Sequence, residues 1–245
     1  QITTWGHSET SGLNSIDYYI SSNYFHNSNS LSTNQYFTEK LILMPSLSTY
    51  YISPIIMLLH GNMKSFKNRV ELGFKDSDNI YGCLQTFYKL NCDFEETINH
   101  ILLRDPNAII LMSNAVPYCK SHLLRIKKKV NHNINRIRWY NCLEFKEFLN
   151  IISICDVILD PFPFGGCNTS FEAFDLNIPV VTLSSNILGG SFTKGLYNKM
   201  GITECTVTNK KCYVNKCVEI ATNKKYKNLI CRKLLSLLVG LLVLK

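Results

Sequence analysis

The chain has 245 residues, enough for one large α/β unit or two smaller ones around a buried core. Apolar residues make up 46% and charged residues 18%, which excludes general disorder. The net charge of +8 favours anionic partners such as nucleotides, phosphates or nucleic acid, or is a solvated Lys/Arg surface and no more.

In chain order, QITTWG, SIDYYISS and KLILMP read as strands joined by polar, Ser/Asn-rich loops. Residues 61–79 are charged, lack an apolar period and read as a linker. From residue 80 onward strands and helices alternate. Asp93 is a candidate cap for a helix through FEETINHILL, whose first turn carries acids where the helix dipole favours them; Asp105-Pro106 ends it. AIILMS (108–113) is a short apolar strand, and YCKSHLLRIKKKV an amphipathic helix with a basic outer face. RIRWY (136–140) is a strand, EFKEFLNIISIC (144–155) a helix and DVILD (156–160) a strand. NTSFEAFDL starts a helix, PVVTL (179–183) is a buried strand, GSFTKGLYNKM is a helix stopped by Gly201, and a last helix covers about 213–222. Such alternation predicts a parallel sheet with helices on both faces.

The ten cysteines form no regular framework, and no signal peptide is evident, so reduced thiols and a cytoplasmic setting are expected. Cys205, Cys212, Cys217 and Cys231 cluster without a CxxC pair, which favours buried thiols over zinc. The apolar run LLSLLVGLLVL (234–244) is shorter than the roughly 20 residues a bilayer span needs. It reads as a buried terminal helix, with an altered or truncated terminus as the alternative.

One junction carries the chemistry: DVILDPFPFGGCNTSFEAFDLNIPVVTL, residues 156–183. In an open α/β sheet, ligands sit beyond the carboxyl ends of the strands, where loops lead into helices. Gly165 and Gly166 let a ligand approach the main chain. Asn168, Thr169 and Ser170 place hydroxyls and N–H groups at a helix N-terminus, an anion site, and Glu172 can accept bonds from sugar hydroxyls. An ordinary capped helix after a glycine turn accounts for the same residues. The loop is neither a GxGxxG fingerprint nor a P-loop, which counts against dinucleotide oxidoreductases and P-loop NTPases.

The same stretch resembles the nucleotide-binding segment of the O-linked N-acetylglucosamine transferases, especially their SPINDLY-type relatives. QITTWGHSETSGLNSIDYYISS, QYFTEKLILMP, YGCLQTFYKLNCDFEETINHILLRDPNAII and RIRWYNCLEFKEFLNIISICDVILD resemble further family segments in the same order, over roughly residues 1–205. The resemblance implies an α/β, GT-B-like fold: a Rossmann-like lobe at 80–222 preceded by the end of a first lobe at 1–60, with a helical segment at 223–245. It implies transfer of N-acetylglucosamine or hexose from a UDP donor to Ser/Thr or Asn of a protein, without a metal or other cofactor.

By the same resemblance Lys89 faces the UDP phosphates, as the group that stabilises charge on the leaving diphosphate. Gln85 precedes it, Thr169 with Asn168 holds phosphate, and Glu172 binds the ribose. Leu143 marks a main-chain contact to uracil, Phe148 a ring that stacks on the base or sits in the core, and Gly6 and His7 the approach of the first lobe to the sugar. Cys167 and Phe145 depart from the family pattern, the first half of the amino-terminal lobe is absent, and the match fades after residue 205. The leading expectation is a UDP-sugar-dependent protein glycosyltransferase. The alternative is a truncated UDP-sugar-binding module that does no transfer. A nucleic-acid-binding role has only the net charge and the KSHLLRIKKKV helix in its favour, so neither a nucleic acid nor a membrane is expected as partner.

Overall fold

A computed structural model describes residues 1–26, 35–53, 66–113, 120–141 and 144–242. Two parallel sheets organise them. The smaller contains β1 (Ile2–Thr4), β2 (Tyr18–Ser22) and β3 (Lys40–Met44), in that order. The larger contains β4 (Asn79–Cys83), β5 (Ala108–Ser113), β6 (Ile137–Tyr140), β7 (Val157–Leu159), β8 (Val180–Leu183) and β9 (Thr206–Val207). Its spatial order is β6-β5-β4-β7-β8-β9, and every described pairing is parallel. The chain therefore winds outward from β4 to one edge, returns to the centre at β7, and winds outward to the other edge. Central strands β4 and β7 are apolar on both faces because helices cover both.

The helices are α1 (Cys92–Arg104), α2 (Lys120–Val130), α3 (Phe145–Ser153), α4 (Asn168–Asp175), α5 (Phe192–Met200), α6 (Lys210–Thr222) and α7 (Lys224–Leu242). Mutual packing groups α1, α2 and α6 on one face of the large sheet, and α3, α4, α5 and α7 on the other. Phe94, Ile98, Ile101 and Leu102 give α1 a continuous buried face at helical spacing, and Tyr81, Ile110, Val157 and Leu159, on one face of the sheet by register, supply the sheet side of that core.

Two local readings are corrected. The cap of α1 is Asn91, whose extended backbone lets its side chain accept from Phe94 N at 2.9 Å; Asp93 lies inside the first turn and pairs with Lys210 at 2.7 Å. Helix α6 starts three residues before the expected boundary, because Asn209 accepts from Cys212 N at 2.8 Å. Gly201 does end α5 in the left-handed conformation, at φ 69°. As far as Leu242 the terminal run lies in α7, which buries Ile230 and Leu234 and exposes Leu229 and Leu235. Among the described residues, no helix is long and apolar enough to cross a membrane. The described cysteines are free thiols.

The small sheet is packed onto the large unit by aromatic contacts. Trp5 and Phe25 both meet Phe192 of α5 edge-on, at 5.6 and 5.1 Å between ring centroids. Tyr51 stacks on Phe171 of α4 at 4.5 Å, and Ser53 bonds Asp175. These contacts set the β1–β2 side of the molecule over the carboxyl ends of β4 and β7.

Candidate active site

Strands β4 and β7 are neighbours from which the chain winds in opposite directions. At such a reversal the loops leaving the two strands part, and a crevice opens beyond their carboxyl ends. A cavity of about 300 Å³ lies there. Gln85 and Lys89 enter it from the segment after β4, where Phe87–Lys89 form one 3₁₀ turn. Gly165, Asn168 and Thr169 enter it from the loop after β7, and Trp5, Gly6 and Ser8 close it from the small-sheet side.

The floor is a connected polar network. Lys89 Nζ donates to Gln85 Oε1 and to Gly165 O, both at 2.9 Å, and Gln85 Nε2 donates to Thr169 Oγ1. The Lys89 ammonium also lies 5.0 Å from the centre of the Phe164 ring. Burial pulls the Lys89 pKa below the ordinary lysine value, opposed by the nearby Asp160. Asp160 is itself wholly enclosed, and burial raises its pKa against the pull of Gly166 N–H, Thr182, Thr193 and Lys89. A desolvated cation with one buried acid behind it is an electrostatic setting that an incoming anion would relieve.

The glycines are required by contacts rather than by unusual backbone angles. Gly166 N donates to Asp160 Oδ1 at 2.6 Å. A Cβ on Gly165 would stand 2.9 Å from both Asp160 carboxylate oxygens; one on Gly166 would run into Thr169 Oγ1 and stand 2.9 Å from Gln85 Nε2. Helix α4 then begins without a side-chain cap: Cys167 holds the cap position and makes no capping bond. Ser170 N and Phe171 N bond Cys167 O, so the N–H groups of Asn168 and Thr169 precede the first internal bond of the helix. Together with Lys89 they can hold an anion with two or more acceptor oxygens.

Other expected residues stand differently. The Ser170 hydroxyl is buried against Thr193 Oγ1 at 2.7 Å and does not line the cavity. Glu172 is 8% exposed and does not line the cavity, and burial pushes its pKa up to about 7. No hydrogen bond to its carboxylate is formed among the described residues. Phe148 is half-buried, its ring stacked at 6.3 Å on the exposed Phe145, away from the phosphate-side lining. His7 is exposed beside Gly6 and does not line the cavity. Leu143 lies outside the described residues. An Asp-x-Asp pair does occur in the chain, at Asp76 and Asp78, but it precedes β4 and so lies at the opposite end of the sheet from the cavity.

Sequence reasoning passed over Asp160, Phe164, Phe192 and Ser8. Asp160 carried a legible signal, an acid closing an otherwise apolar strand inside the quoted stretch. The aromatic and Ser8 positions carried none, because tertiary packing alone brings them to the cavity.

The sequence matches the description Glycosyl transferase family 41 over residues 62–239, well over half of the chain. Among curated relatives, the chain is 22% identical over 229 residues to the "Probable UDP-N-acetylglucosamine--peptide N-acetylglucosaminyltransferase SPINDLY" of Hordeum vulgare, covering 91% of this chain and 23% of that protein. It is 28% identical over 80 residues to the UDP-glucose:protein N-beta-glucosyltransferase of Actinobacillus pleuropneumoniae, covering 32% of this chain and 13% of that one. The chain thus spans about a quarter or less of the length of these relatives. Among solved structures, a mutant of the Thermobaculum terrenum O-GlcNAc transferase superposes with a TM-score of 0.82 at 19% identity, over 99% of this chain and 44% of that one. S. aureus TarM superposes with a TM-score of 0.60 at 14% identity, over 92% and 41%. The architecture is that of the GT-B glycosyltransferases.

Proposed function

The chain belongs to glycosyl transferase family 41, and from that premise we propose that it forms the donor-binding part of a UDP-sugar-dependent protein glycosyltransferase. The observation that carries this reading is the placement of the Lys89 ammonium and the uncapped start of α4 in one cavity, at the reversal between β4 and β7. The diphosphate of the donor lies against Lys89, Thr169 and the Asn168–Thr169 N–H groups. The sugar extends toward Gly6 and Ser8. Glu172 takes the ribose, Phe148 the flat face of the base, and Leu143 its edge.

Transfer is a displacement at the anomeric carbon. The bond from that carbon to the diphosphate oxygen breaks, and a bond to an acceptor hydroxyl or amide forms. Negative charge gathers on the departing diphosphate, where Lys89 and the helix start already point donors at it. The reaction is proposed to need no metal. The moved sugar is N-acetylglucosamine or a hexose, and the acceptor is Ser/Thr or Asn of a protein. The relatives, which include a probable N-acetylglucosaminyltransferase acting on peptide and a glucosyltransferase acting on protein, support that range.

A second reading, donor binding without transfer, draws on one observation. Among the described residues, the lining of the donor cavity contains no carboxylate and no imidazole to serve as general base. Incubation with UDP-N-acetylglucosamine or UDP-glucose, with and without a Ser-containing peptide, separates the two. Peptide-dependent release of UDP supports transfer; tight UDP-sugar binding with no release supports the binding module; neither outcome with a folded chain would defeat both.

A further inference from the structure

A second cavity, of about 400 Å³, adjoins the donor cavity at Ser8, which lines both. Its walls come from both parts of the molecule. Ser8, Glu9, Tyr36 and Phe37 stand on the small-sheet side, and Ile187 and Leu188 stand on the loop after β8. Tyr36 is 64% exposed and Ile187 41%, so large apolar groups face open space here rather than one another.

Both walls are held in place. Glu39, only 5% exposed, accepts from Thr10 Oγ1 at 2.6 Å and from Ser11 N at 2.7 Å, and also from the Ser11 hydroxyl. These bonds hold its carboxyl at about 2, against the effect of burial, so the anchor stays ionised at neutral pH. The opposite loop is tied to the donor loop itself: Gly165 N donates to Gly189 O at 2.9 Å, and Ser185 Oγ donates to Pro163 O at 3.0 Å. His26, at the back, bonds Ser21 Oγ at 2.7 Å and meets Phe37 edge-on; burial lowers its pKa to about 4, so it is neutral and adds no charge. The cavity is therefore preformed, with largely apolar walls, and among the described residues that line it the only formal charge is at Glu9 on the rim.

Its place relative to the donor decides what it takes. Lys89 and the α4 start hold the leaving diphosphate at one end of the first cavity, and the sugar lies toward Ser8. An attacking group approaches the anomeric carbon from the side away from the leaving group, which is the Ser8 side. We propose that this second cavity is an acceptor subsite that takes an aromatic or branched apolar side chain next in sequence to the residue that receives the sugar. The inference rests on the donor-site reading above and deepens it. The apolar walls favour such a side chain, and Glu9 at the rim disfavours an acidic one.

The test uses the full chain saturated with UDP and three capped peptides: acetyl-Phe-Ser-Gly-amide, acetyl-Gly-Ser-Gly-amide and acetyl-Glu-Ser-Gly-amide. Binding is followed by calorimetry. The Phe peptide is expected to bind at least about tenfold more tightly than the Gly peptide, the value of one well-buried apolar side chain, and the Glu peptide more weakly than either. Ile187→Trp, which fills the cavity, and Tyr36→Ala, which removes an exposed wall and leaves the buried core alone, should each erase the preference for Phe. Equal binding of the Phe and Gly peptides, or a preference that survives both substitutions, overturns the proposal on a chain that still binds UDP. Failure of the parental chain to bind UDP would strike the donor-site reading, and the subsite with it.

Discussion

Replacing Lys89 with Met separates what holds the fold from what holds the donor. The ammonium makes two hydrogen bonds of 2.9 Å, to Gln85 Oε1 and Gly165 O, and all three residues line the cavity. Each is worth about 1 kcal/mol net. Water can replace the lost donor, and removing a desolvated charge returns part of the cost. Lys89→Met should therefore destabilise the fold by no more than about 1–2 kcal/mol. The cost to an anionic ligand is larger. One charge-assisted bond to a diphosphate oxygen is worth roughly 1.5–3 kcal/mol, so UDP affinity should fall about 10- to 150-fold. In a chain competent for transfer, turnover should fall by about 10²–10³, the usual effect of removing one preorganised donor. Thermal unfolding reports the first quantity and calorimetric titration with UDP the second. A folded Lys89→Met chain that binds UDP within about threefold of the parent would refute the assignment of the phosphates to this residue.

Three further outcomes follow from the same geometry. Gly166→Ala pushes a methyl group into Thr169 Oγ1 and against Gln85 Nε2, so it should break the Gln85–Thr169 bond and weaken UDP binding about tenfold or more, with a loss of about 1–3 kcal/mol in stability by thermal unfolding. Glu172, with its pKa raised from 4.5 to about 7, binds its proton more tightly folded than unfolded. Its contribution to stability is therefore full below pH 4.5 and is lost as pH rises to about 7, by about 3 kcal/mol in total; Glu172→Gln should flatten that part of the stability–pH curve, and an unchanged slope would rule out Glu172 as its source. Lys89, with its pKa lowered by burial, must be protonated to hold a diphosphate. UDP affinity should thus decline with rising pH below the ordinary lysine range, and the Lys89→Met chain should lack that decline.

Local pattern made much of the fold legible. AIILMS is β5 residue for residue, PVVTL contains β8, and Gly201 stops α5 because its φ of 69° suits glycine. The order of the strands was not legible. Every apolar pentapeptide of this kind suits a buried parallel strand, and only tertiary packing makes β4 the neighbour of β7. Asn91 was missed as a cap because Asp93 carries the same chemistry two residues on; backbone conformation, not residue type, chose between them.

The site divides in the same way. Gln85, Lys89, Gly165, Asn168, Thr169 and Gly6 could be named from the motif and its resemblance, and they meet in one cavity. The motif is contiguous, and the elements that carry it emerge at one end of the sheet. Asn168, Thr169 and Ser170 are adjacent in sequence, yet helical geometry turns the Ser170 hydroxyl inward to Thr193, a partner from another helix that no local pattern announces. Asp160 lies beneath the loop and reaches Gly166 from six residues away; a buried acid of this kind becomes visible only with its neighbours in place.

The most direct test of the account is calorimetric titration of the purified chain with UDP and UDP-N-acetylglucosamine, with ADP and GDP at the same concentrations. Selective binding of the uridine ligands, abolished or strongly weakened by Lys89→Met, is the predicted result. A folded chain that binds none of the four, or binds all of them alike and independently of Lys89, would contradict it.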